Sequence, residues 1–394
     1  EDFENRIIYY ESSRGCPFSC SYCLSSIDKC LRFREIELVK KELQFFIDKK
    51  VPQVKFVDRT FNCRHDHAMA IWTYIHEHDN GITNFHFEVS ADLLNEKEIA
   101  LINRMRPGLI QLEIGVQSAN EITIREINRT MKIDVLSTIV DKIKKGNNVH
   151  QHLDLIAGLP YEGYESFGKS FDRVYKMNPE QLQLGFLKVL KGSVMHDRAQ
   201  EYGIVYQDRA PYEVLSTKWL TYAEVIRLKQ IEEMVEVYYN SGQFCCTMAA
   251  LEQEFASPFC MYECLAAYYD EKNAFAVSHS RIGRYEILYD FIVKTCKERS
   301  EQYMEMLTLD MYLRDNVKKR PEFLRESGVS SDEAAAFYKK EEKERTYLKA
   351  YEGYDRRQMR KMTHLERIDG KTVLFDYKNR DPLTGNAAIY YLSE

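Results

Sequence analysis

Three cysteines lie within eight residues near the start of the chain, in the segment Arg-Gly-Cys-Pro-Phe-Ser-Cys-Ser-Tyr-Cys at 14–23. Cys16, Cys20 and Cys23 have the spacing C-x3-C-x2-C. Three thiolates can bind three positions of one metal centre and leave a fourth without a ligand from the same loop. A structural zinc site normally has four protein ligands, whereas a cuboidal iron–sulfur cluster can be held at this close spacing. The spacing favours such a cluster over three ordinary thiols or a zinc site with a distant fourth ligand.

The cysteine loop lies in a region, residues 6–190, where short apolar runs alternate with amphipathic stretches. This pattern predicts the strands and helices that position the loop. The predicted strands are 6–11, 54–58, 85–90, 109–115, 152–158 and 182–189. The predicted helices are 35–50, 66–79, 95–105, 119–129, 134–146 and 165–176. Strands separated by helices of this length indicate right-handed β–α–β units and a parallel sheet, in which loops at the carboxyl ends of the strands carry the chemistry. The cysteine loop follows the first strand, and the six units fall short of the eight of a closed barrel.

The cysteine loop resembles the cluster-binding loop of radical S-adenosylmethionine (radical SAM) enzymes, in which an aromatic residue precedes the last cysteine. Tyr22 stands at that position, and the resemblance implies that it contacts the cofactor. The resemblance implies an α/β fold, a partial (β/α)6 TIM-like barrel of the radical SAM type. It also implies a [4Fe-4S] cluster on Cys16, Cys20 and Cys23, with S-adenosylmethionine at the open iron. One-electron reduction would then give methionine and a 5′-deoxyadenosyl radical that abstracts hydrogen from a substrate, so that no protein side chain is assigned a catalytic role.

Further motifs resemble the radical SAM branch that contains oxygen-independent coproporphyrinogen oxidase. They are Phe87-Glu88-Val89-Ser90, Gly115-Val116-Gln117-Ser118, Ile127-Asn128-Arg129 and Asp154-Leu155-Ile156-Ala157-Gly158-Leu159-Pro160. The resemblance implies cofactor contacts from Glu88 to the ribose or amino group and from Gln117. It places Arg129 on the methionine carboxylate, which suits a bidentate guanidinium. Asp154 would bind the ribose hydroxyls or, alternatively, cap the barrel through a structural hydrogen bond, and Gly158 would let the backbone approach the adenine.

The segment Asp-Arg-Thr-Phe-Asn at 58–62 ends the second predicted strand. It departs from the small or glycine-rich residues that radical SAM cores often have there. Asp58, Arg59 and Asn62 are therefore candidates to face the substrate. The next residues, Cys-Arg-His-Asp-His at 63–67, hold a thiol and two imidazoles, but an acidic residue in a first turn favours a helix start over a second metal site.

After residue 195 the alternation stops, and amphipathic patterns at 213–240 and 285–315 predict a mainly helical C-terminal region. A charged segment at 332–362 predicts a solvated helix with i,i+4 pairs. Runs at 371–377 and 387–392 predict a small β-hairpin module. The expected domains are a cluster-binding barrel at 1–194, a helical region covering the substrate at 195–330, and a charged helix with a β module at 331–394.

Four cysteines in the C-terminal half raise the question of an auxiliary iron–sulfur cluster. They are Cys245, Cys246, Cys260 and Cys264. Helical spacing with apolar neighbours favours buried thiols, and adjacent cysteines on a helix are expected to point apart. Packing is therefore favoured over a second cluster, which stays an open alternative.

Composition limits the setting and the partners. The 394 residues are 44% hydrophobic and 29% charged, with a net charge of −6, so no basic field favours nucleic acid. No apolar run approaches the roughly 20 residues of a membrane span. The charged start, Glu1-Asp2-Phe3-Glu4, lacks a signal-peptide pattern. We therefore expect a cytoplasmic protein whose ten cysteines are reduced, in an anaerobic setting because oxygen destroys exposed clusters.

The whole chain resembles a cobalamin-dependent radical SAM group whose members have an upstream cobalamin domain and a helical C-terminal extension. The segments 186–192 and 373–377 contribute to this resemblance. A cobalamin domain, if the natural protein has one, would precede Glu1. The implied function is a radical SAM methyltransferase or oxidoreductase that acts on an unidentified small molecule, with cobalamin as a further cofactor and an electron donor such as flavodoxin or ferredoxin. The alternatives are a cobalamin-free enzyme acting on a tetrapyrrole or other small metabolite, and a sensor that binds cluster and cofactor without turnover.

Overall fold

The computed structural model describes residues 3, 6–317 and 319–392. The chain forms two compact units, one ending at Glu233 and the other beginning at Met234. The division falls within a helix, Tyr222–Val235. The functional domain limits 1–194, 195–330 and 331–394 stay predictions.

The first unit is built on a parallel sheet. Its strands are β1 (Ile7–Tyr10), β2 (Ser13–Arg14), β3 (Arg32–Phe33), β4 (Gln53–Phe56), β5 (Asn84–Val89), β6 (Ile110–Gln117), β7 (His150–Ala157), β8 (Gln181–Phe186), β9 (Val205–Tyr206) and β10 (Val214–Ser216). Six of them form one sheet in the order β1-β4-β5-β6-β7-β8, with every neighbouring pair parallel. Strands β2 and β3, and β9 and β10, form short antiparallel pairs. In the described residues β1 and β8 do not pair, so the sheet stays open. The predicted α/β fold with a partial six-unit barrel is confirmed.

Eight helices accompany these strands in the described residues, and most of them lie in the chain between one strand of the sheet and the next. They are α1 (Ile36–Asp48), α2 (His65–Glu77), α3 (Glu96–Ile102), α4 (Glu121–Glu126), α5 (Ile133–Lys144), α6 (Tyr164–Tyr175), α7 (Val194–Asp197) and α8 (Tyr222–Val235). Local sequence explains their limits and faces. Helix α3 begins at a capping box, because Asn95 accepts from the Glu98 backbone amide and Glu98 accepts from that of Asn95. On α5, Leu136, Val140 and Ile143 recur at helical spacing and are buried.

Four aromatic side chains fix α2 and the loop before it against the sheet. Phe61 lies 4.4 Å from Phe87 and 5.3 Å from Trp72 between ring centroids, and Phe56 lies 4.5 Å from Phe87. All four are fully buried. Because side chains alternate along a strand, the residues beside Phe56 and Phe87 point to the opposite face of the sheet.

The second unit combines helices with a small antiparallel sheet. Its helices are α9 (Cys245–Leu251), α10 (Pro258–Glu271), α11 (Arg281–Thr295), α12 (Ser300–Arg314), α13 (Ser331–Glu344) and α14 (Arg356–Met362). Its strands β11 (Thr363–Ile368), β12 (Lys371–Arg380) and β13 (Ala387–Tyr391) pair in that order. The predicted helical C-terminal region is confirmed. None of the described helices has both the length and the apolar character that a membrane span requires.

Several boundaries differ from the predictions. The predicted helix at 213–240 begins only at Tyr222, because Val214–Ser216 pairs as a strand. The predicted helix at 285–315 is two helices, which Cys296 separates in a non-helical conformation. The charged helix expected at 332–362 ends at Glu344, because the next residue, Arg345, has a φ of +52° in the left-handed region. The expected hairpin is a three-stranded sheet, because β11 precedes it.

Candidate cofactor site

A cavity lies at the carboxyl ends of the central parallel strands. Its lining is Cys16, Phe18, Cys20, Tyr22, Cys23, Ser25, Ser26, Arg59, Thr60, Glu88, Val89, Ser90, Glu113, Gly115, Gln117, Arg129 and Asp154. The three loop cysteines and five of the six predicted cofactor contacts are therefore brought together. Gly158 is the predicted contact outside this lining.

The cysteine loop is folded back on itself beside the cavity. The Cys16 amide donates to Asp28 O at 3.0 Å, and the Cys23 amide donates to Cys20 O at 3.2 Å. The three sulfur atoms do not all lie within 4.8 Å of one another. Ligands of one tetrahedral zinc ion would have sulfur–sulfur distances of roughly 3.8 Å. The wider spacing fits a cluster whose thiolates bind different iron atoms.

Arg129 joins the cysteine loop to the end of β6. Its Nη1 donates to Tyr22 Oη at 3.3 Å and to Cys20 Sγ at 3.8 Å, and its Nη2 donates to Gly115 O. Its Nε is buried and has no hydrogen-bond partner among the described residues. Burial raises the pKa of the Tyr22 hydroxyl, which keeps that group neutral. The guanidinium is thus fixed in place with one donor unused.

A β-bulge at the end of β6 presents Gln117 to the cavity. The pairing with β7 shifts register between Gly115 and Gln117, and Gln117 has a φ of +73°. A Cβ on Gly115 would lie 2.2 Å from Gln117 Nε2 and 3.4 Å from Arg129 Nη2. Glycine is therefore required at 115 for both side chains to approach. Gln117 Oε1 is buried and, among the described residues, accepts no hydrogen bond.

Charged side chains continue from the cavity along the same face of the sheet. Glu113 Oε2 lies 2.9 Å from His86 Nε2 and 3.1 Å from Lys55 Nζ. The close approach of His86 and the positive charge of Lys55 lower the pKa of Glu113 to about 2. Burial, followed by repulsion from Glu113, raises the pKa of Glu88 to about 7. Two neighbouring carboxyl groups thus differ in protonation near neutral pH.

Asp154, on β7, is the third carboxyl group that lines the cavity, together with Glu88 and Glu113. Burial raises the pKa of Asp154, and His152, whose Nε2 lies 3.0 Å from Asp154 Oδ1, opposes the shift. The side chain keeps 18% of its surface exposed and lines the cavity. Asp154 thus has both a structural neighbour and access to a ligand.

Two protein-family models match the chain. Residues 10–174 match the model described as the radical SAM superfamily. The chain carries a radical SAM domain. Residues 200–382 match a model described as a protein of unknown function, DUF4080.

Two curated relatives align with parts of the chain. Oxygen-independent coproporphyrinogen III oxidase of Salmonella typhimurium is 29% identical over 107 residues, which are 26% of this chain and 23% of the oxidase. Bacteriochlorophyllide d C-12(1)-methyltransferase of Chlorobaculum tepidum is 25% identical over 178 residues, which are 43% of this chain and 37% of the methyltransferase. The chain thus spans about a quarter of the oxidase and less than half of the methyltransferase.

Solved structures of radical SAM proteins are also similar. The radical SAM methyltransferase TsrM of Kitasatospora setae has a TM-score of 0.46 and 14% identity, covering 52% of this chain and 39% of TsrM. The cobalamin-dependent radical SAM enzyme OxsB has a TM-score of 0.46 and 12% identity, covering 77% of this chain and 53% of OxsB.

In the radical SAM domain, Gly158 has a packing role. Its φ is +89°, a conformation that favours glycine, and a Cβ there would lie 2.8 Å from Val214 Cγ1. The close approach of Val214 accounts for glycine at this position without any ligand. The predicted adenine contact of Gly158 stays a prediction.

Of the three residues expected to face substrate after β4, only Arg59 lines the cavity. Asp58 is buried and accepts from the Ser12 amide at 3.0 Å, from Ser12 Oγ at 2.7 Å and from Ser13 Oγ at 2.5 Å. Asn62 is also buried, donating to Ser90 O at 2.8 Å and accepting from the Ser90 amide at 2.9 Å. Asp58 and Asn62 therefore hold the radical SAM domain together instead of facing a substrate.

The histidines at 63–67 also have protein partners. His65 Nδ1 lies 2.9 Å from Glu98 Oε1, and His67 Nε2 lies 3.1 Å from Ser12 Oγ. The segment opens α2, as its first-turn Asp66 indicated. No three-ligand metal group includes these residues within the part of the chain that the structure describes.

Sequence reasoning missed Thr60 and Glu113. Thr60 Oγ1 lies 3.7 Å from Cys16 Sγ, and repulsion from Glu113 adds to the effect of burial in raising the pKa of Glu88. Glu113 had a usable signal, because a charged residue alternating with apolar ones in a strand marks the face away from the helices. Thr60 had none, because its approach to Cys16 depends on the fold.

Proposed function

We propose that the chain is a radical SAM enzyme in which Cys16, Cys20 and Cys23 hold a [4Fe-4S] cluster and the cavity binds S-adenosylmethionine. The observation that carries the proposal is a pair of buried atoms, Gln117 Oε1 and Arg129 Nε, that have no hydrogen-bond partner among the described residues. Gln117 and Arg129 line the same cavity as the three cysteines. Buried polar atoms without a partner are costly, and a polar ligand would satisfy both.

The cavity offers a complementary group for each polar part of this cofactor. Arg129 Nε is a donor for the methionine carboxylate, and the bond from Nη2 to Gly115 O fixes the plane of the guanidinium. Gln117 Oε1 is an acceptor for the amino group. Glu88 and Asp154 accept hydrogen bonds from hydroxyl groups, and their charge, when ionised, favours a cationic ligand.

A cluster held by Cys16, Cys20 and Cys23 would supply one-electron reduction of S-adenosylmethionine, with the electron coming from an external reductant. The protein's own task is to orient the ligand and keep water from it. Cys16 and Cys20 are each only 8% exposed, which limits solvent access to the sulfurs. The required reductant is proposed to be a flavodoxin or ferredoxin in an anaerobic cytoplasm.

We further propose that the enzyme belongs to the cobalamin-dependent type and modifies a small molecule. The alignment with a bacteriochlorophyllide methyltransferase over 178 residues supports methyl transfer to a small molecule. The cobalamin dependence rests on the resemblance of the whole chain to the cobalamin-dependent group. No described residue of this chain is assigned to cobalamin. The second candidate is cobalamin-free hydrogen abstraction from a tetrapyrrole or other small metabolite, which the alignment with coproporphyrinogen oxidase favours.

The test is anaerobic production of 5′-deoxyadenosine. The chain is reconstituted with iron and sulfide, mixed with S-adenosylmethionine and dithionite, and analysed by mass spectrometry. We expect 5′-deoxyadenosine from the unmodified chain and none from Cys16→Ala. Cys30→Ala is the matched control, because Cys30 belongs to the same loop, is exposed and does not line the cavity.

A full cluster that binds the cofactor without producing 5′-deoxyadenosine would contradict the enzyme proposal and favour the sensor. A second assay separates the two enzyme types. S-adenosylmethionine with a labelled methyl group is incubated with added cobalamin, and label on the corrinoid supports the cobalamin-dependent type. Cleavage of S-adenosylmethionine without any such transfer favours the cobalamin-free enzyme.

A further inference from the structure

Three potential metal ligands converge in the second unit, and none of them belongs to the proposed cofactor site. Cys245 and Cys246 begin α9, and Asp310 lies on α12. The two sulfur atoms are 4.0 Å apart, and Cys245 Sγ is 3.4 Å from Asp310 Oδ1. One ligand atom from each residue lies within 4.8 Å of the others. The expectation that adjacent cysteines point apart is therefore wrong for this pair.

These distances match the edges of a tetrahedron around a single ion. With bond lengths of about 2.3 Å to sulfur and about 2.0 Å to oxygen, tetrahedral zinc requires about 3.8 Å between sulfurs and about 3.5 Å between sulfur and oxygen. The observed 4.0 Å and 3.4 Å are each within a few tenths of an ångström of these values. Cys260 and Cys264 do not belong to the group. The geometry suits one ion better than an auxiliary cluster on all four cysteines.

The surroundings of Asp310 are a second reason to expect a bound cation here. Its carboxyl group is fully buried, and no ion pair joins it to a lysine or arginine in the part of the chain that the structure describes. Its oxygens accept from the Cys246 amide at 2.9 Å and the Thr247 amide at 2.8 Å. Each carboxylate oxygen can accept a further bond, so both amides can stay bonded while one oxygen binds a metal. A cation would also neutralise this buried charge.

We propose that Cys245, Cys246 and Asp310 bind one zinc ion, with water at the fourth position. Binding converts both thiols to thiolates and releases their protons to solvent, with no change in oxidation state. Cys245 is exposed, which gives the ion a path from solvent. The bound ion would join the start of α9 to α12. This site is independent of the proposed radical chemistry.

The test measures metal content in the full chain. Cys16, Cys20 and Cys23 are replaced by serine so that zinc cannot occupy the cluster loop. After zinc loading and dialysis under reducing conditions, we expect about one zinc ion per chain. Cys245→Ser/Cys246→Ser should lose it. Cys260→Ser/Cys264→Ser is the matched control, which removes the same number of thiols from the same unit and should retain the ion.

A second measurement does not depend on the folding of Cys245→Ser/Cys246→Ser. Cobalt(II) added to the chain that lacks only the loop cysteines should give the visible and thiolate charge-transfer absorption of a tetrahedral thiolate site, and zinc should displace it. Absence of that absorption would overturn the proposal, as would zinc retained by Cys245→Ser/Cys246→Ser. A Cys245–Cys246 disulfide that persists under reducing conditions, with no metal bound, would also overturn it. Production of 5′-deoxyadenosine is not part of this readout, so either proposal can fail alone.

Discussion

Two sets of cysteines in this molecule differ in the spacing of their sulfur atoms and in their surroundings. The sulfurs of the cysteine loop at 16–23 do not all lie within 4.8 Å of one another. These cysteines line a cavity together with Gln117 and Arg129, each of which has a buried polar atom without a partner in the described part of the chain. The sulfurs of Cys245 and Cys246 are 4.0 Å apart, and Asp310 beside them already accepts two backbone bonds. The first arrangement suits a cluster with a second ligand, and the second suits one ion. The distances between sulfur atoms therefore distinguish a cluster site from a single-ion site, whereas the number of cysteines in the sequence does not.

The largest expected effect is that of Cys16→Ser, which should abolish the properties of the loop cysteines and leave those of Cys245 and Cys246 unchanged. Cys16→Ser removes one of three cluster ligands, so the cluster absorbance and all 5′-deoxyadenosine production should be lost, while zinc binding at Cys245 and Cys246 is unchanged. Visible absorbance, mass spectrometry and metal content report the three quantities. Loss of zinc from the second site in this variant would show that the two sets are not independent.

Arg129→Lys examines the unused donor in the cavity. Lysine keeps the positive charge but lacks the planar fork that bonds Gly115 O and leaves Nε for a carboxylate. Loss of a charged hydrogen bond of about 1.5–3 kcal/mol should weaken S-adenosylmethionine binding roughly 10- to 100-fold. Equilibrium dialysis measures the affinity, and visible absorbance checks the cluster. Arg125→Lys on the exposed side of α4 is the control and should bind normally; equal affinities in both variants would remove Arg129 from the site.

Gly115→Ala examines how the bulge presents Gln117. The added Cβ would lie 2.2 Å from Gln117 Nε2 and should displace the carboxamide, weakening S-adenosylmethionine binding about tenfold. In a Gln117→Ala background the same change should have little further effect, because the displaced group is absent. A double-mutant cycle on the dissociation constant measures this coupling. Additive effects would mean that Gly115 acts independently of Gln117.

The smallest expected effect is the pH dependence that Glu88 confers. With a pKa of about 7, Glu88 should be mostly neutral at about pH 6 and mostly ionised at about pH 8. Ionisation favours a cationic ligand, so S-adenosylmethionine affinity should rise several-fold over this interval. Isothermal titration calorimetry at a series of pH values measures it. Glu88→Gln should flatten the profile, and an unchanged slope in that variant would assign the dependence to another group.

The same group should affect stability in the opposite direction. Its pKa rises from 4.5 in the unfolded chain to about 7 in the folded one, so the folded state binds the proton more tightly. The contribution of Glu88 to the free energy of unfolding is therefore fully present below about pH 4.5 and is lost as pH rises through about 7. Comparing urea unfolding of the unmodified chain and Glu88→Gln across this interval isolates the contribution.

The parallel sheet could be predicted almost entirely from sequence. The segments 85–90 and 109–115 overlap β5 and β6 closely, because central parallel strands are short apolar runs between helices. Strand β11 could not be predicted in the same way. Its sequence, Thr-His-Leu-Glu-Arg-Ile, reads as charged and exposed, yet Glu366 is buried against Arg320 at 2.5 Å. The partner of this buried charge is 46 residues away, so the local sequence does not reveal it.

The candidate site was predictable where a residue type matches a motif and not where contacts decide. Cys16 and Arg129 stand in recognisable segments, and the structure places both on one cavity. Asp58 was an equally plausible candidate to face a ligand from its residue type. In the structure it is buried and accepts three hydrogen bonds from Ser12 and Ser13. The proximity of Cys246 to Asp310 depends on how α9 packs on α12, across 64 residues of sequence.

The two hydrogen bonds between the Asn62 side chain and the Ser90 backbone affect the entropy of ligand binding in the cavity. Two hydrogen bonds from one side-chain amide to one backbone residue imitate a step of strand pairing just beyond the end of β5. The chain can therefore leave the sheet after Phe56 and carry Arg59 to the cavity while the strand end stays paired. The segment that carries Arg59 to the cavity is therefore already ordered before a ligand binds. Ligand binding does not have to supply the conformational entropy cost of ordering this segment.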